Sequence, residues 1–296
     1  MYNSENLSHL TQHQIQAMVD NKTTLLEYLT TSKANIIHQK FLKFILGVKR
    51  NCGNMATLGE LGEFPLHIYG LIALLSYWHR TAMMQEDTFA KQALNFVTND
   101  GPNVSDWFAT VTFLLKITIM EEYILNPESI TTKSFTDNCS KKLKDILTEQ
   151  WRTAISRTQS KNGQSNKLKF YALFKTTFEM EPYLESVNNF IMRKNICKFR
   201  CSDHRLEIEL GRHKGANIEE RICQLCRGSV ESEIHFLTEC PLYRKSRLKY
   251  LGADNSESWM NIIQCKDKHI AFNFANFLTK SMNLRKRMLD LHAYFN

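Results

Sequence analysis

Cys223, Cys226, His235 and Cys240 are spaced C-x2-C-x8-H-x4-C. Thiolate sulfur and imidazole nitrogen are donors that zinc accepts in a tetrahedron. The C-x2-C half predicts a tight knuckle, in which Gly228 takes the positive φ such a turn often needs. Ser229 or Ser232 is positioned to cap a short helical turn that carries His235 inward. Pro241 ends that turn just past the last ligand. Four protein ligands complete the shell and leave no position for an activated water. The cofactor expected is therefore structural Zn2+. The competing reading is a set of ordinary buried cysteines beside an unrelated histidine.

Other constellations are weaker. Cys197, Cys201 and His204, at C-x3-C-x2-H, could contact a second metal, but core cysteines and a hydrogen-bonded histidine are the commoner arrangement. Cys52, Cys139 and Cys265 are isolated and read as small buried hydrophobes. No two aspartates are adjacent, so the paired-Asp motif of a polymerase palm is missing. The P-loop, H-E-x-x-H, G-x-S-x-G and G-x-G-x-x-G patterns are also absent. A zinc deaminase needs H-x-E before P-C-x-x-C. Here Ile222 precedes Cys223, and no histidine is followed two residues on by glutamate. No catalytic residue is assigned, and the chain is expected not to be an enzyme.

Basic residues crowd the knuckle. Arg200, Arg205, Arg212, Lys214, Arg221 and Arg227 are assigned to nucleic acid, where they would neutralise phosphates. Phe199, Phe236 or Tyr243 could add stacking. The competing reading is a solvated face paired with Glu207, Glu209, Glu219 and Glu220. Across its 296 residues the chain carries a formal net charge of +8, which favours an acidic partner, RNA or DNA or both. No small-molecule substrate is expected. The longest apolar run, Ile68 to Trp78, is about half of the roughly 20 residues a membrane span needs. The first residues lack a signal-peptide core, and eight cysteines are few for a disulfide framework in so long a chain. Reduced cysteines and an intracellular setting, nucleus or cytoplasm, are expected.

The elements that position these residues read as mainly α: helical bundle segments, then a small CCHC zinc knuckle, then C-terminal helices. In the helix from about Ala34 to Val48, the residues Ile37, Phe41, Phe44, Ile45 and Val48 recur at helical steps and predict the core face. Further helices are predicted over Leu66 to Met84, Glu86 to Val97, Ser105 to Leu125, Asp137 to Arg157 and Leu168 to Phe178. Another opens at Pro182 and runs through Phe190 to Arg200, and a last long one spans about His269 to Tyr294. Four regions follow: a thumb-like helical region at 1–130, a helical linker region at 131–215, the knuckle at 216–250 and C-terminal helices at 251–296.

Taken together, several blocks resemble one family. Ile222-Cys223-x-x-Cys226 with Ile234-His235-Phe236-Leu237-x-Glu239-Cys240-Pro241-Leu242-Tyr243 resembles the zinc-binding tail of non-LTR (LINE-type) retrotransposon reverse transcriptases. Phe199-Arg200-x-Ser202-x-His204-Arg205-Leu206-x-Ile208-Glu209-x-Gly211-Arg212 is similar to the segment leading into it. Phe41 to Val48, Gly59-Glu60-Leu61-Gly62-Glu63-Phe64-Pro65-Leu66 and Tyr77-Trp78 are similar to the region just after the polymerase core. The family implies target-primed reverse transcription, but the palm and its aspartates have no counterpart here. The resemblance therefore implies a non-catalytic, nucleic-acid-binding part of such an enzyme: a truncated element, a gene-model fragment or a captured module. The alternative is a structural or protein-interaction module derived from such an element, in which zinc only supports the fold.

Overall fold

The computed structural model describes residues 33–99, 106–157, 167–252 and 259–295. It is mainly α, as the periodicity predicts. Among the described residues β pairing is confined to two isolated bridges, Leu61 with Met180 and Ile222 with Val230. In chain order the helices are α1 (Lys33–Leu46), α2 (Asn54–Leu61), α3 (His67–Ala82), α4 (Phe89–Asn99), α5 (Asp106–Thr118), α6 (Glu122–Leu125) and α7 (Thr132–Ser156). Then come α8 (Lys169–Phe174), α9 (Tyr183–Ser186), α10 (Phe190–Arg200), α11 (Glu207–His213), α12 (Arg244–Leu251), α13 (Trp259–Gln264) and α14 (Lys268–Phe295). The helix expected from Pro182 to Arg200 is broken: α9 stops at Ser186, and Asn189 caps α10 by accepting from the Met192 N–H at 3.2 Å. No helix of the described residues is long and apolar enough to cross a membrane.

The chain forms two compact units, Met1–His38 with Phe64–Trp151, and Gln39–Glu63 with Arg152–Asn296. These cut across the four regions expected from the sequence. The knuckle and the last helices fall in one unit because α14 packs along both α10 and α12.

In the first unit, α3 packs on α4 and α5. Leu71, Leu75, Val111, Leu114, Phe135 and Leu143 are fully buried there. Burying each such side chain contributes roughly 1.5–3 kcal/mol. His79 stacks on Phe135 with ring centroids 4.3 Å apart.

The second unit is built round α14. Phe274 and Phe277 meet Phe199 of α10 and Phe236 of the knuckle at centroid distances of 5.8 and 5.4 Å. Beneath them lies an ion network. Glu60 of α2 accepts from Arg200 Nε and Nη2 at 3.1 and 2.9 Å, and from the Tyr183 hydroxyl at 2.5 Å. Arg200 also reaches Glu181 at 2.6 Å and donates to the Ile263 carbonyl. A buried arginine is tolerated only when carboxylates and carbonyls take up its donors in this way.

The α1 face is the reverse of the one expected. Ile37, Phe41, Phe44 and Ile45 are exposed, Phe44 to 78%, while Asn35, Gln39, Leu42, Lys43 and Leu46 are buried. Both sets recur at helical steps, so periodicity alone admits either. Burial of Lys43 is supported by a 2.9 Å bond from its ammonium to the Arg50 carbonyl.

Candidate metal centre

Cys223, Cys226, His235 and Cys240 converge, their ligand atoms all within 4.8 Å of one another. They are the one group of three or more His, Cys, Asp or Glu side chains so disposed among the described residues. Cys226 Sγ lies 3.3 Å from His235 Nε2. A tetrahedron with bonds of about 2.0–2.3 Å has edges of about 3.3–3.8 Å, so this pair already stands at a ligand–ligand spacing. Three of the four residues are buried, and Cys226 is half-buried.

Local backbone chemistry makes the convergence. The Arg227 N–H donates to the Cys223 carbonyl at 2.9 Å, closing the knuckle, and the Gly228 N–H points at Cys226 Sγ at 3.5 Å. Arg227, not Gly228, holds the left-handed conformation, with φ 56°. The Cys223 N–H to Ser229 carbonyl bond and the Ile222–Val230 bridge bring the chain back on itself.

Ser232 caps the next turn, its hydroxyl accepting from the His235 N–H at 3.1 Å. That turn, His235–Glu239, is π-helical, and the Cys240 N–H donates to the His235 carbonyl at 2.9 Å. Five residues along an α-helix amount to about 500°, or roughly 140° apart round the axis. The wider π turn, with its i to i+5 bonding, carries His235 and Cys240 toward the same side. Pro241 then opens a tight turn over Pro241–Tyr243, as the stop signal predicts.

The surroundings fit a metal ligand set. His235 Nδ1 has Ser229 Oγ at 2.8 Å and Glu239 Oε2 at 3.1 Å, which fixes the ring and leaves Nε2 toward the three sulfurs. Burial pushes the Cys240 thiol up to about 12, and the neighbouring Cys223 and Cys226 add to it. Burial raises Cys223 as well, with Glu231 contributing. A cation that joined these thiols would release their protons, because metal binding and thiol ionisation are linked. The cluster can hold a metal ion, with every position of a tetrahedral shell filled by protein.

The second cluster does not form a ligand set. Cys197 and Cys201 Sγ are 3.9 Å apart, but His204 turns away. Its Nε2–H donates to Glu233 at 3.0 Å, and its Nδ1 accepts the Leu206 N–H at 3.4 Å, so neither nitrogen faces the cysteines.

The residues assigned to nucleic acid divide. Arg205, Lys214 and Arg227 are exposed. Arg212 is half-buried, with its guanidinium 2.5 Å from Glu209. Arg200 and Arg221 are corrected. Arg200 is 1% exposed inside the Glu60–Glu181 network and reaches no surface. Arg221 is buried too, donating at 2.8 Å to the Ile208 and Ala216 carbonyls, with its stem packed where a Cβ on Gly211 would lie 2.5 Å away. Phe199, Phe236 and Tyr243 are buried among other rings and present no stacking face. Sequence reasoning missed Glu231 and Arg285. Arg285 of α14 donates to Glu231 at 2.8 and 2.6 Å, and Glu231 also takes the Glu207 N–H at 2.8 Å and lies 3.8 Å from Cys223 Sγ. The only signal was the Arg285-Lys286-Arg287 triplet, which carries no hint of a partner 54 residues away.

The sequence matches no protein-family model, no curated protein and no solved structure.

Proposed function

We propose that this chain is a zinc-stabilised, non-catalytic nucleic-acid-binding module, of the kind implied by its resemblance to the C-terminal region of non-LTR retrotransposon reverse transcriptases. One observation carries the reading: a Cys3His ligand set with no open position, in the same unit as exposed Arg205, Lys214 and Arg227. A closed S3N shell suits zinc as a structural ion. Its role is to hold the fold of the knuckle, and basic side chains around it meet phosphates. No adjacent aspartates are available to hold two metal ions for phosphoryl transfer, so polymerase chemistry is not part of the proposal.

A second reading has its own support. The burial of Arg200 and Arg221 removes two of six assigned cations, which favours a structural or protein-interaction module with zinc as a staple. Salt separates the two. Phosphate neutralisation releases counterions, so log K falls linearly with log salt, by about 0.9 per contact on B-DNA and 0.7 on single strands. Anisotropy with labelled RNA and DNA oligonucleotides is expected to show that slope for the zinc-loaded chain. Replacing Arg205, Lys214 and Arg227 together by alanine should flatten it. Absence of binding at low salt would leave the interaction module standing.

A further inference from the structure

Arginines and lysines that bind nucleic acid need a surface that presents them together and leaves them unneutralised. The second unit has such a place, away from the ligand knuckle itself. A groove of about 530 Å³ is lined by α10, the turn after it and α14. Lys198 and Arg205 stand on one wall and Lys286 on the other, with Lys49 at the edge. Leu278, Met282 and Leu289 are among the apolar residues that line it.

The charge there is unbalanced. Two acidic residues line the groove, Asp203 and Asp290. Asp203 is buried and already engaged, accepting the Lys49 N–H at 2.8 Å with the Lys49 ammonium 3.5 Å away. Arg285 is turned inward to Glu231. The side chains of Lys198, Arg205 and Lys286 make no ion pair or hydrogen bond among the described residues. Burial holds the Lys198 ammonium below the usual lysine value, and Lys194, Lys49 and Arg205 push it lower against the pull of Asp203. Like charges crowded in this way are relieved by an anion.

The walls of the groove are fixed. His204 and Ser202, in the turn after α10, both bond Glu233 at 3.0 Å. Arg285, one residue before Lys286, is clamped to Glu231. Both carboxylates lie in the strand of chain that leads into His235, so both walls are anchored on the segment carrying the Cys3His cluster.

We infer that this groove is a phosphate seat for a nucleic-acid strand, with Lys198, Arg205 and Lys286 as the phosphate-binding side chains. The inference rests on the nucleic-acid reading above and names where that strand lies. Phosphates would meet the three cations, and sugar or base would lie on the apolar floor.

The test is anisotropy of a fluorescein-labelled single-stranded oligonucleotide with the zinc-loaded full chain across a salt series. Lys198→Ala with Lys286→Ala should weaken binding on the order of tenfold at low salt and lower the slope by roughly one unit per lost contact. Lys198→Arg with Lys286→Arg should restore both, because charge is kept. Removing two exposed lysines from the other unit, Lys116→Ala with Lys133→Ala, controls for net charge and should change little. Zinc content and the unfolding midpoint show whether each variant is folded. A folded groove variant that binds like the control overturns the groove and leaves the nucleic-acid reading intact. A chain that binds no oligonucleotide at low salt overturns both. Inorganic pyrophosphate displacing the strand at equal concentration would make this a small-anion site and overturn the strand assignment.

Discussion

Arg285 and Glu231 form a two-point ion pair, 2.8 Å from Nε to Oε1 and 2.6 Å from Nη2 to Oε2, that ties the last helix to the segment carrying the Cys3His cluster. Both side chains are buried. Removing one partner strands the other without water. Arg285→Met should therefore lower stability by roughly 3–5 kcal/mol, and Glu231→Gln added to it should recover part of that loss. The urea midpoint at constant slope reads both. Arg285→Lys should fall between, since an ammonium cannot make the forked contact.

Arg200 should matter to stability and not to binding. Glu60, Glu181 and the Ile263 carbonyl take its donors, so Arg200→Leu leaves buried carboxylates unpaired at a cost of roughly 3–5 kcal/mol. The fraction that stays folded should bind oligonucleotide as the unmutated chain does. Weakened binding with unchanged stability would return Arg200 to the surface.

That residue also marks what sequence could and could not reveal. The metal set was legible because ligand spacing is local: within 18 residues the types and intervals leave few alternatives. The helices were legible from their period. Arg200 was not, because its partner Glu60 lies 140 residues away, and nothing local separates a guanidinium bound for a carboxylate from one bound for solvent. The α1 face failed for a related reason: Ile37, Phe41 and Phe44 repeat as a core stripe would, yet Leu42 and Leu46 share the period and are the ones inside. The left-handed residue of the knuckle was assigned to Gly228 on type alone, whereas the bond closing on Cys223 puts Arg227 there.

His79 gives the first unit a pH dependence. Its Nε2–H donates to the Pro127 carbonyl at 3.0 Å, so Nδ1 is the acceptor for Thr132 Oγ1 at 3.1 Å. A second ring proton would break that acceptor. Burial lowers its pKa below 6.5, against a smaller opposing pull from the Pro127 bond. The unfolded chain then binds the proton more readily, so stability is present above about 6.5 and is lost as pH falls through the lowered folded value. The His79 ring resonance should titrate below 6.5, and His79→Gln should flatten the loss. A midpoint at or above that value would contradict the assignment.

Gly62 closes α2 at φ +63°, and a Cβ there would lie 2.5 Å from the Met180 nitrogen and 2.8 Å from the Glu179 carbonyl carbon. Gly215 has φ +73° with nothing within 4 Å. Both alanine variants bear the left-handed strain of about 1–3 kcal/mol, but only Gly62→Ala meets backbone. It should be the more destabilised of the two in urea unfolding, and equal losses would remove the packing argument.

The most direct measurement of the central claim is zinc K-edge X-ray absorption on the purified full chain. Three sulfurs at about 2.3 Å and one nitrogen at about 2.0–2.1 Å, with one zinc per chain, are the shell that Cys223, Cys226, Cys240 and His235 Nε2 should form. Cys226→Ser should lose a sulfur from that shell or lose the metal. A shell of oxygens and nitrogens, or a folded chain that binds no zinc with all four ligands intact, would contradict the account.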